Sequence, residues 1–585
     1  MQKYGILLIL LTINLLCYAQ EANKLAPSLL ATFNRGETAD LLVVMREQAT
    51  PIPPKNLKHK TEKGRFVFEQ LRETTLRTQP NAWRIAREQG LAANSFYLVN
   101  ALSISRCTRK AALALAALPE VKYLAPDPYV QFAQPTQEPL PVSGRSGVEW
   151  GVDRINAPAV WALGYTGQGI TVGGADTGYD WAHPALKNHY RGYFTDLDTF
   201  DHRYNWHDAI HESHPLNGVD TLNPCGFDVQ HPCDDNAHGT HTMGSMTGDD
   251  GQGNQIGVAP GAKWVGCRNM DRGWGKPSTY LECFEWFLAP TDLDGNNPAP
   301  DKAPHVINNS WYCAVQEGCL DLSINELLRL AVVNLRQAGV VVVVSNGNFG
   351  GEGCASTYGP PAYFEESFSV GATRFDDAIA DFSSRGPVTI DSSGRTKPNV
   401  AAPGQDIRSS IPNGGYANFS GTSMAGPHVV GLVALILSAR PDLAGQVDLI
   451  EDIIEKTAVY SADPLACGTS SAAVPNMSFG YGRVDALGAV NLALQQTPVA
   501  ETNPVFSATC APNPTRGDCL FETQGMLGET TLELFERGGR VALSRHWTGQ
   551  GHDRLSVSLA ELPAGVYFWK IQSSNHTATG KVVKE

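Results

Sequence analysis

Apolar residues along this chain fall into three regimes. In the first they form short runs between charged helical stretches. Leu41–Met45 predicts a strand, and Arg65–Gln89 has helical spacing with mixed charge. Ser95–Val99 predicts a second strand, which Ala101–Ile104 continues after a break. Thr108–Leu118, rich in Ala and Leu, predicts a helix that stops before Pro119. Val121–Leu124 predicts a last strand, so the order describes a small two-helix α+β sandwich. Phe132–Gly147 breaks the pattern with Pro, Gln, Ser and Gly, and predicts an exposed linker.

In the second regime the runs lose their alternation. Gly169–Val172 is short and β-branched and predicts a buried strand. The five valines of Val340–Val344 predict a central strand of a parallel sheet, with polar residues emerging at its C-terminal end. Val429–Leu437 carries no charge and predicts a buried helix. The third regime follows a Pro-containing stretch, Thr497–Pro504. Thr531–Phe535 alternates, Gly538-Gly539 marks a hairpin turn, and Val566–Ile571 and Gly580–Lys584 complete a small all-β domain. The expected order is an α+β domain over 20–134, a linker over 135–147, an α/β domain over 148–496, a linker over 497–504 and a β domain over 505–585.

Candidate chemistry centres on the start of the buried helix. Ser423 lies in Gly421-Thr422-Ser423-Met424-Ala425-Gly426-Pro427-His428-Val429. There the helix dipole and unpaired N–H groups favour developing negative charge. A serine capping a core helix would look the same. What separates the two is whether the chain also holds a base, an orienting carboxylate and an oxyanion donor. His238, in Asn236–Thr242, is the candidate base, flanked by the small Ala237 and Gly239 that let substrate and serine approach. His238 and His241 also invite a metal reading, but no Glu lies between them as in the zinc-protease motif. Asp176 ends the strand predicted at Gly169–Val172 and is the candidate carboxylate. Asn348 follows the valine strand and is the candidate donor.

Together these motifs resemble those of the subtilisin-like serine proteases (subtilases), in that family's order of Asp, His and Ser. The likeness runs from about Trp150 to Leu494, and Val152–Ala157, Cys267–Gly273 and Val306–Trp311 resemble the bacillopeptidase F-like branch. The resemblance implies a three-layer α/β fold with a central, mostly parallel sheet. It implies Ser423 as nucleophile, His238 as base and then acid, Asp176 as its orienting partner and Asn348 as oxyanion donor, with no cofactor required. It places substrate-binding walls at Ser310-Trp311-Tyr312, read as a strand, and at Ser345-Asn346-Gly347. Tyr312 stands where the family usually has glycine, and a side chain there is expected to narrow or lid the pocket. The resemblance also makes residues 20–134 an inhibitory propeptide that occupies the cleft, with self-cleavage in the linker that follows.

The C-terminal pieces Pro512-Asn513-Pro514, Leu562–Ile571 and Gly580–Lys584 resemble the sorting domain of proteins exported by the type IX route. That implies a Gram-negative cell, a secretion machinery as partner, and export across the outer membrane into the medium or onto the cell surface. An α/β-hydrolase esterase would need Gly-x-Ser-x-Gly and the order Ser, Asp, His, and Ala425 and the motif order exclude it. A non-catalytic surface binding protein with the same fold remains the alternative.

Composition adds compartment and partners. A formal charge of −14 over 585 residues argues against nucleic acid or an anionic membrane surface as a partner. The subtilase resemblance implies protein or peptide substrates, and a monomer is expected. Twelve cysteines are many for a cytosolic enzyme. The close pairs Cys225/Cys233, Cys313/Cys319 and Cys510/Cys519 suit local disulfides and leave Cys107 unpaired in its domain. Lys3, the apolar run Ile6–Leu16 and Cys17-Tyr18-Ala19 read as a removed signal peptide over 1–19. The long interval between Asp176 and His238 holds His202, His207, His211, His214 and His231, in a disulfide-stapled loop or a metal site. Asp292–Asn297 resembles part of a calcium loop without its distal Glu, so metal ligands stay unassigned and structural calcium stays open.

Overall fold

The computed structural model describes residues 23–132, 136–139, 147–212, 225–313, 322–463, 465–496, 507–573 and 576–585. The expected signal peptide, His214, Cys319 and the linker 497–504 lie outside the described residues. The chain divides into two compact units after Gln496.

The first unit opens with a four-stranded antiparallel sheet in the order β2-β3-β1-β4. Its strands are β1 (Ala39–Met45), β2 (Ala93–Phe96), β3 (Ala101–Cys107) and β4 (Val121–Pro126). Four helices accompany it where two were expected: α1 (Pro27–Asn34), α2 (Lys60–Thr78), α3 (Pro80–Glu88) and α4 (Arg109–Ala116). The periodic stretch Arg65–Gln89 splits because Pro80 cannot continue a helix but can begin one, and it occupies the first position of α3. The run Ser95–Ile104 is a hairpin rather than one interrupted strand, with Phe96 opposite Ala101. Asn100 takes a positive φ of 36° in the turn.

The expected linker is also ordered in part. β5 (Val130–Gln131) and β6 (Thr136–Pro139) each pair with the domain that follows. Phe132 is 2% exposed. Pro- and Gln-rich sequence reads as linker because it has no apolar face of its own. Here the missing partner is supplied from elsewhere in the chain.

That following domain is built on seven parallel strands in the order β8-β9-β7-β11-β12-β13-β14. They are β7 (Thr171–Asp176), β8 (Trp206–Asp208), β9 (Lys263–Arg268), β11 (Val306–Asn309), β12 (Val341–Ser345), β13 (Phe368–Thr373) and β14 (Val400–Pro403). Between them run β10 (Trp274–Gly275) and the helices α5 (His238–Thr247), α6 (Pro277–Leu288) and α7 (Leu322–Gln337). The hairpin β15 (Ile407–Ile411) and β16 (Gly415–Ser420) then leads into α8 (Thr422–Ala439). Strand order reverses across β7, because later strands add on both of its sides, and in such sheets the crevice opens beyond the C-terminal ends at that point.

Helix α8 is long and apolar enough to cross a bilayer, yet every residue from Thr422 to Leu437 is buried in protein. It is the core helix of the domain. At Gly431 a Cβ would come within 2.5 Å of Val258, so a larger residue would push the helix off its neighbour.

Disulfides Cys225–Cys233 and Cys510–Cys519 form as expected. Cys267–Cys283 and Cys354–Cys467 were not anticipated, because their partners lie 16 and 113 positions apart and only the fold brings them together. Cys107 is a free, buried thiol, and burial pushes its pKa up to about 12.

The second unit is all β, in the order β17-β18-β20-β21 with β19 on β18. Its strands are β17 (Ser507–Ala511), β18 (Asp518–Phe535), β19 (Val541–Ser558), β20 (Gly565–Ser573) and β21 (His576–Lys584). Its core holds Phe521, Leu532, Leu534, Trp569 and Ile571. The alternation of Thr531–Phe535 places Leu532 and Leu534 inward, as the period-2 pattern requires.

Candidate active site

Asp176 is the last residue of β7 and fully buried. A buried carboxylate must be hydrogen-bonded. Its Oδ1 accepts from the Thr177 N–H at 2.8 Å and its Oδ2 from the Thr242 hydroxyl at 3.3 Å. His238, the first residue of α5, sets Nδ1 2.7 Å from the same Oδ1. The carboxylate partner assigns the proton to Nδ1 and leaves Nε2 as the acceptor.

Asp234 fixes the turn that delivers this histidine. Its Oδ1 accepts from the N–H groups of Asn236 and Ala237, each at 3.0 Å. Its Oδ2 accepts from the Thr240 N–H at 2.9 Å and the Thr240 hydroxyl at 2.6 Å. The Thr177 hydroxyl donates to Asp234 Oδ1 at 2.9 Å, which ties the histidine turn to the end of β7. Gly239 serves packing here: a Cβ would lie 2.0 Å from the Gly178 carbonyl oxygen, so α5 could not seat.

Ser423 is the second residue of α8, after Gly421 at the helix cap. Its hydroxyl donates to the Ser310 carbonyl at 3.3 Å, and the Ser310 hydroxyl donates back to the Ser423 carbonyl at 2.9 Å. His238 Nε2 is buried and has no hydrogen-bond partner among the described residues. The structure therefore holds the serine in a resting rotamer on Ser310. Catalytic hydrogen bonds are often unformed before substrate tightens them. Asn348 Oδ1 accepts from the Thr422 N–H and the Thr422 hydroxyl, both at 2.9 Å. That clamp fixes which end of the amide faces Thr422 and turns the NH2 end away from it.

The expected substrate walls divide into parts. β11 ends at Asn309, so Ser310-Trp311-Tyr312 is not a strand. Trp311 is buried and stacks on Tyr280 at 4.0 Å between ring centroids. Tyr312 is 1% exposed and packs edge-on to Phe349 at 5.3 Å, and Phe349 stacks on Tyr358 at 5.0 Å. Ser345 and Asn346 are buried, and Asn346 Nδ2 donates to Thr357 Oγ1 and the Ser384 carbonyl. Gly347, at φ +106°, donates its N–H to the Thr422 hydroxyl at 3.2 Å.

The cleft is not open. Val130 and Gln131 of β5 pair antiparallel with Gly275 and Trp274 of β10. Phe132 donates its N–H to the Gly273 carbonyl at 2.8 Å, and its ring lies 4.5 Å from the His238 ring. Across the site, Thr136–Pro139 of β6 pairs antiparallel with β16, with Thr136 opposite Ser420.

Among the described residues no cluster of three or more His, Cys, Asp and Glu is arranged to hold a metal ion. In the histidine-rich insert, His207 meets Glu282 at 2.8 Å, and His211 lies between Glu282 and Asp228. Hydrogen bonding to Glu282 raises the His211 pKa to about 10, so this group is ion-paired. Asp292 is turned onto its own loop, accepting from the N–H groups of Asp294 and Asn296 and from Asn297 Nδ2.

Comparison with known proteins adds identity to this geometry. Residues 167–483 match the model of the Subtilase family. The chain belongs to the subtilase family. Residues 510–585 match the Secretion system C-terminal sorting domain, which marks this subtilase for export to the cell surface or beyond. Bacillopeptidase F of Bacillus subtilis (strain 168) is 34% identical over 501 residues, covering 80% of this chain and 32% of its own length. The chain thus spans about a third of that relative. Subtilisin E of the same organism is 29% identical over 350 residues, covering 59% of this chain and 75% of its own. The Major intracellular serine protease of that strain is 31% identical over 293 residues, covering 49% and 74%.

Sequence reasoning missed Phe132, Asp234, Thr242 and Thr422. Asp234 stood four residues before His238 with small polar neighbours, a turn-capping signal that was there to be used. Phe132 carried no such signal, because its role comes only from where the chain lies.

Proposed function

We propose that the protein is a secreted serine endopeptidase made as a zymogen that cuts itself. The observation that carries this is the fully buried Asp176–His238 pair at 2.7 Å, its histidine carried on α5, which packs against α8, the helix at whose start Ser423 lies and Asn348 is clamped. In the proposed reaction Ser423 Oγ attacks the carbonyl carbon of the scissile bond while His238 Nε2 takes its proton. Asp176 holds the imidazolium in place through Nδ1. The developing oxyanion is met by the Asn348 amide and the Ser423 N–H, whose helix end favours negative charge. His238 then returns its proton to the leaving amine as the acyl-enzyme forms. Water repeats the sequence and frees Ser423. None of these transfers requires a cofactor.

Residues up to about 134 act as the propeptide in this proposal. The support is the tail's course: Phe132 lies on His238 on one side and Thr136 sits opposite Ser420, three residues ahead of the serine, on the other. The bond cut in maturation accordingly falls between Phe132 and Thr136. The secretion machinery would be engaged through residues 505–585.

Intact mass and N-terminal sequencing of the wild type beside Ser423→Ala test this. The expected result is a new N-terminus within residues 133–136 in the wild type only. Maturation of both forms alike, or of neither, would sink self-processing.

A further inference from the structure

Upstream of the cleft the tail is held by a second set of groups, through its own side chains. Asp127 accepts from the Ser278 N–H at 2.9 Å and from the Ser278 hydroxyl at 2.6 Å, in the first turn of α6. Two residues on, the Tyr129 ring lies 4.1 Å below Lys276 Nζ. That ammonium also contacts Asp40 Oδ2 and Glu212 Oε1, each at 2.8 Å, and the lysine is only 7% exposed. Burial opposes its charge, but Asp127 and Asp40 outweigh burial and raise its pKa. A cavity of about 330 Å³ beside these groups is lined from both domains.

These groups sort by fate. Asp40, Asp127 and Tyr129 belong to the segment that the proposed maturation removes. Lys276, Ser278 and Glu212 remain with the enzyme. Once the segment has left, the α6 turn loses its carboxylate and Lys276 loses the face of Tyr129, while Glu212 still balances part of its charge.

We propose that Lys276 and the first turn of α6 form an extended substrate site for protein chains. It takes an acidic side chain five residues before, and an aromatic side chain three residues before, the substrate residue that packs on His238. This rests on the endopeptidase reading above. The site is more than a helix end: a carboxylate is already seated on the Ser278 N–H and hydroxyl, and the buried Lys276 ammonium lies near enough to favour its charge. A helix N-terminus and an ammonium together favour an anion, and a lysine over an aromatic face adds cation–π attraction. Spacing is enforced by main-chain pairing, because β10 fixes the register of Val130 and Gln131 between the two sites. Selection at this distance makes the enzyme favour loops or tails with an acidic-aromatic stretch upstream of the cut.

The test lets the full-length protein process itself, separates the cut propeptide from the enzyme, and then offers two quenched fluorescent peptides. One spans residues 125–138 of this chain, and the other carries Asp127→Asn and Tyr129→Ala. The expected result is a kcat/KM at least fivefold higher for the native peptide, expressed mostly in KM. In Lys276→Ala that ratio falls toward one. In Lys276→Glu a peptide with Asp127→Lys overtakes the native peptide. Each ratio is taken within one preparation, so incomplete folding cancels. Equal cutting of both peptides by the wild type, or a preference that persists in Lys276→Ala, overturns the extended site and leaves the endopeptidase standing. Failure of the wild type to cut either peptide overturns the endopeptidase reading, and the extended site with it.

Discussion

The N-terminal domain meets its neighbour in two regions that differ in kind. In the cleft the contact is main chain: β5 on β10, β6 on β16, and one aromatic ring on His238. On the helical face it is side chain. Glu285 of α6 accepts the N–H groups of Tyr97 and Leu98 at 2.6 and 2.8 Å. Asn334 of α7 donates to the Leu98 carbonyl at 2.7 Å, and Lys60 of α2 donates to the Ala303 carbonyl at 2.9 Å. Strand pairing accepts almost any sequence, as a protease cleft must. Capping carboxylates and buried lysines accept one. On the proposed reading the cleft would present a bond for reaction, while the helical face would hold the domain in place whether or not that bond is intact.

Three changes would break or sharpen this contrast. The largest acts in the cleft alone. Asn348→Ala should lower kcat on a protein substrate by about 100- to 1,000-fold with KM little changed, the usual cost of one oxyanion donor. Steady-state kinetics check it, and a change in KM alone would place Asn348 in binding instead. The second acts on the helical face. Glu285→Ala leaves two N–H groups without their acceptor, at about 1–3 kcal/mol for a buried unsatisfied group. The cut propeptide should then leave the enzyme about 5- to 150-fold more readily, read as co-elution after processing, while the rate of the first cut changes little.

The smallest effect separates the regions by pH. Burial, partly countered by the N–H groups of Leu98 and Tyr97, raises the docked Glu285 pKa to about 8. A carboxyl raised on docking favours the docked state most below its ordinary pKa, near 4.5, and that gain is lost as the pH rises through 8. Retention of the propeptide by the wild type relative to Glu285→Gln should therefore fall severalfold between pH 7 and 9. A flat ratio would show that Glu285 stays ionised when docked.

The two regions also differed in how far the sequence revealed them. The valine strand, the motif at Ser423 and the Asp176 and His238 turns were legible because each carries its signal locally: a run, a glycine, a cap. The alternation in β18 was legible for the same reason. Phe132 and Thr136–Pro139 read as linker because their order comes from strands 140 to 280 residues away. The Cys267–Cys283 and Cys354–Cys467 bridges escaped for a similar reason, since separation along the chain says little about distance through a sheet. The glycine departure at Tyr312 was visible, but its aromatic neighbours Phe349 and Tyr358 were not, because both come from the distant connection between β12 and β13.

The Cys354–Cys467 bridge closes a loop of the chain with Ser423 inside it. Within that loop Tyr460 and Leu465 are 46% and 50% exposed, the sort of surface another protease would bite. One break there would leave both fragments covalently joined, so the downstream piece with its helix Ala486–Gln495 would stay on the part that carries Asp176, Asn348 and Ser423. The fold thereby gains tolerance to a single cut in this loop, and its lifetime under proteolysis is set by the second wound, not the first.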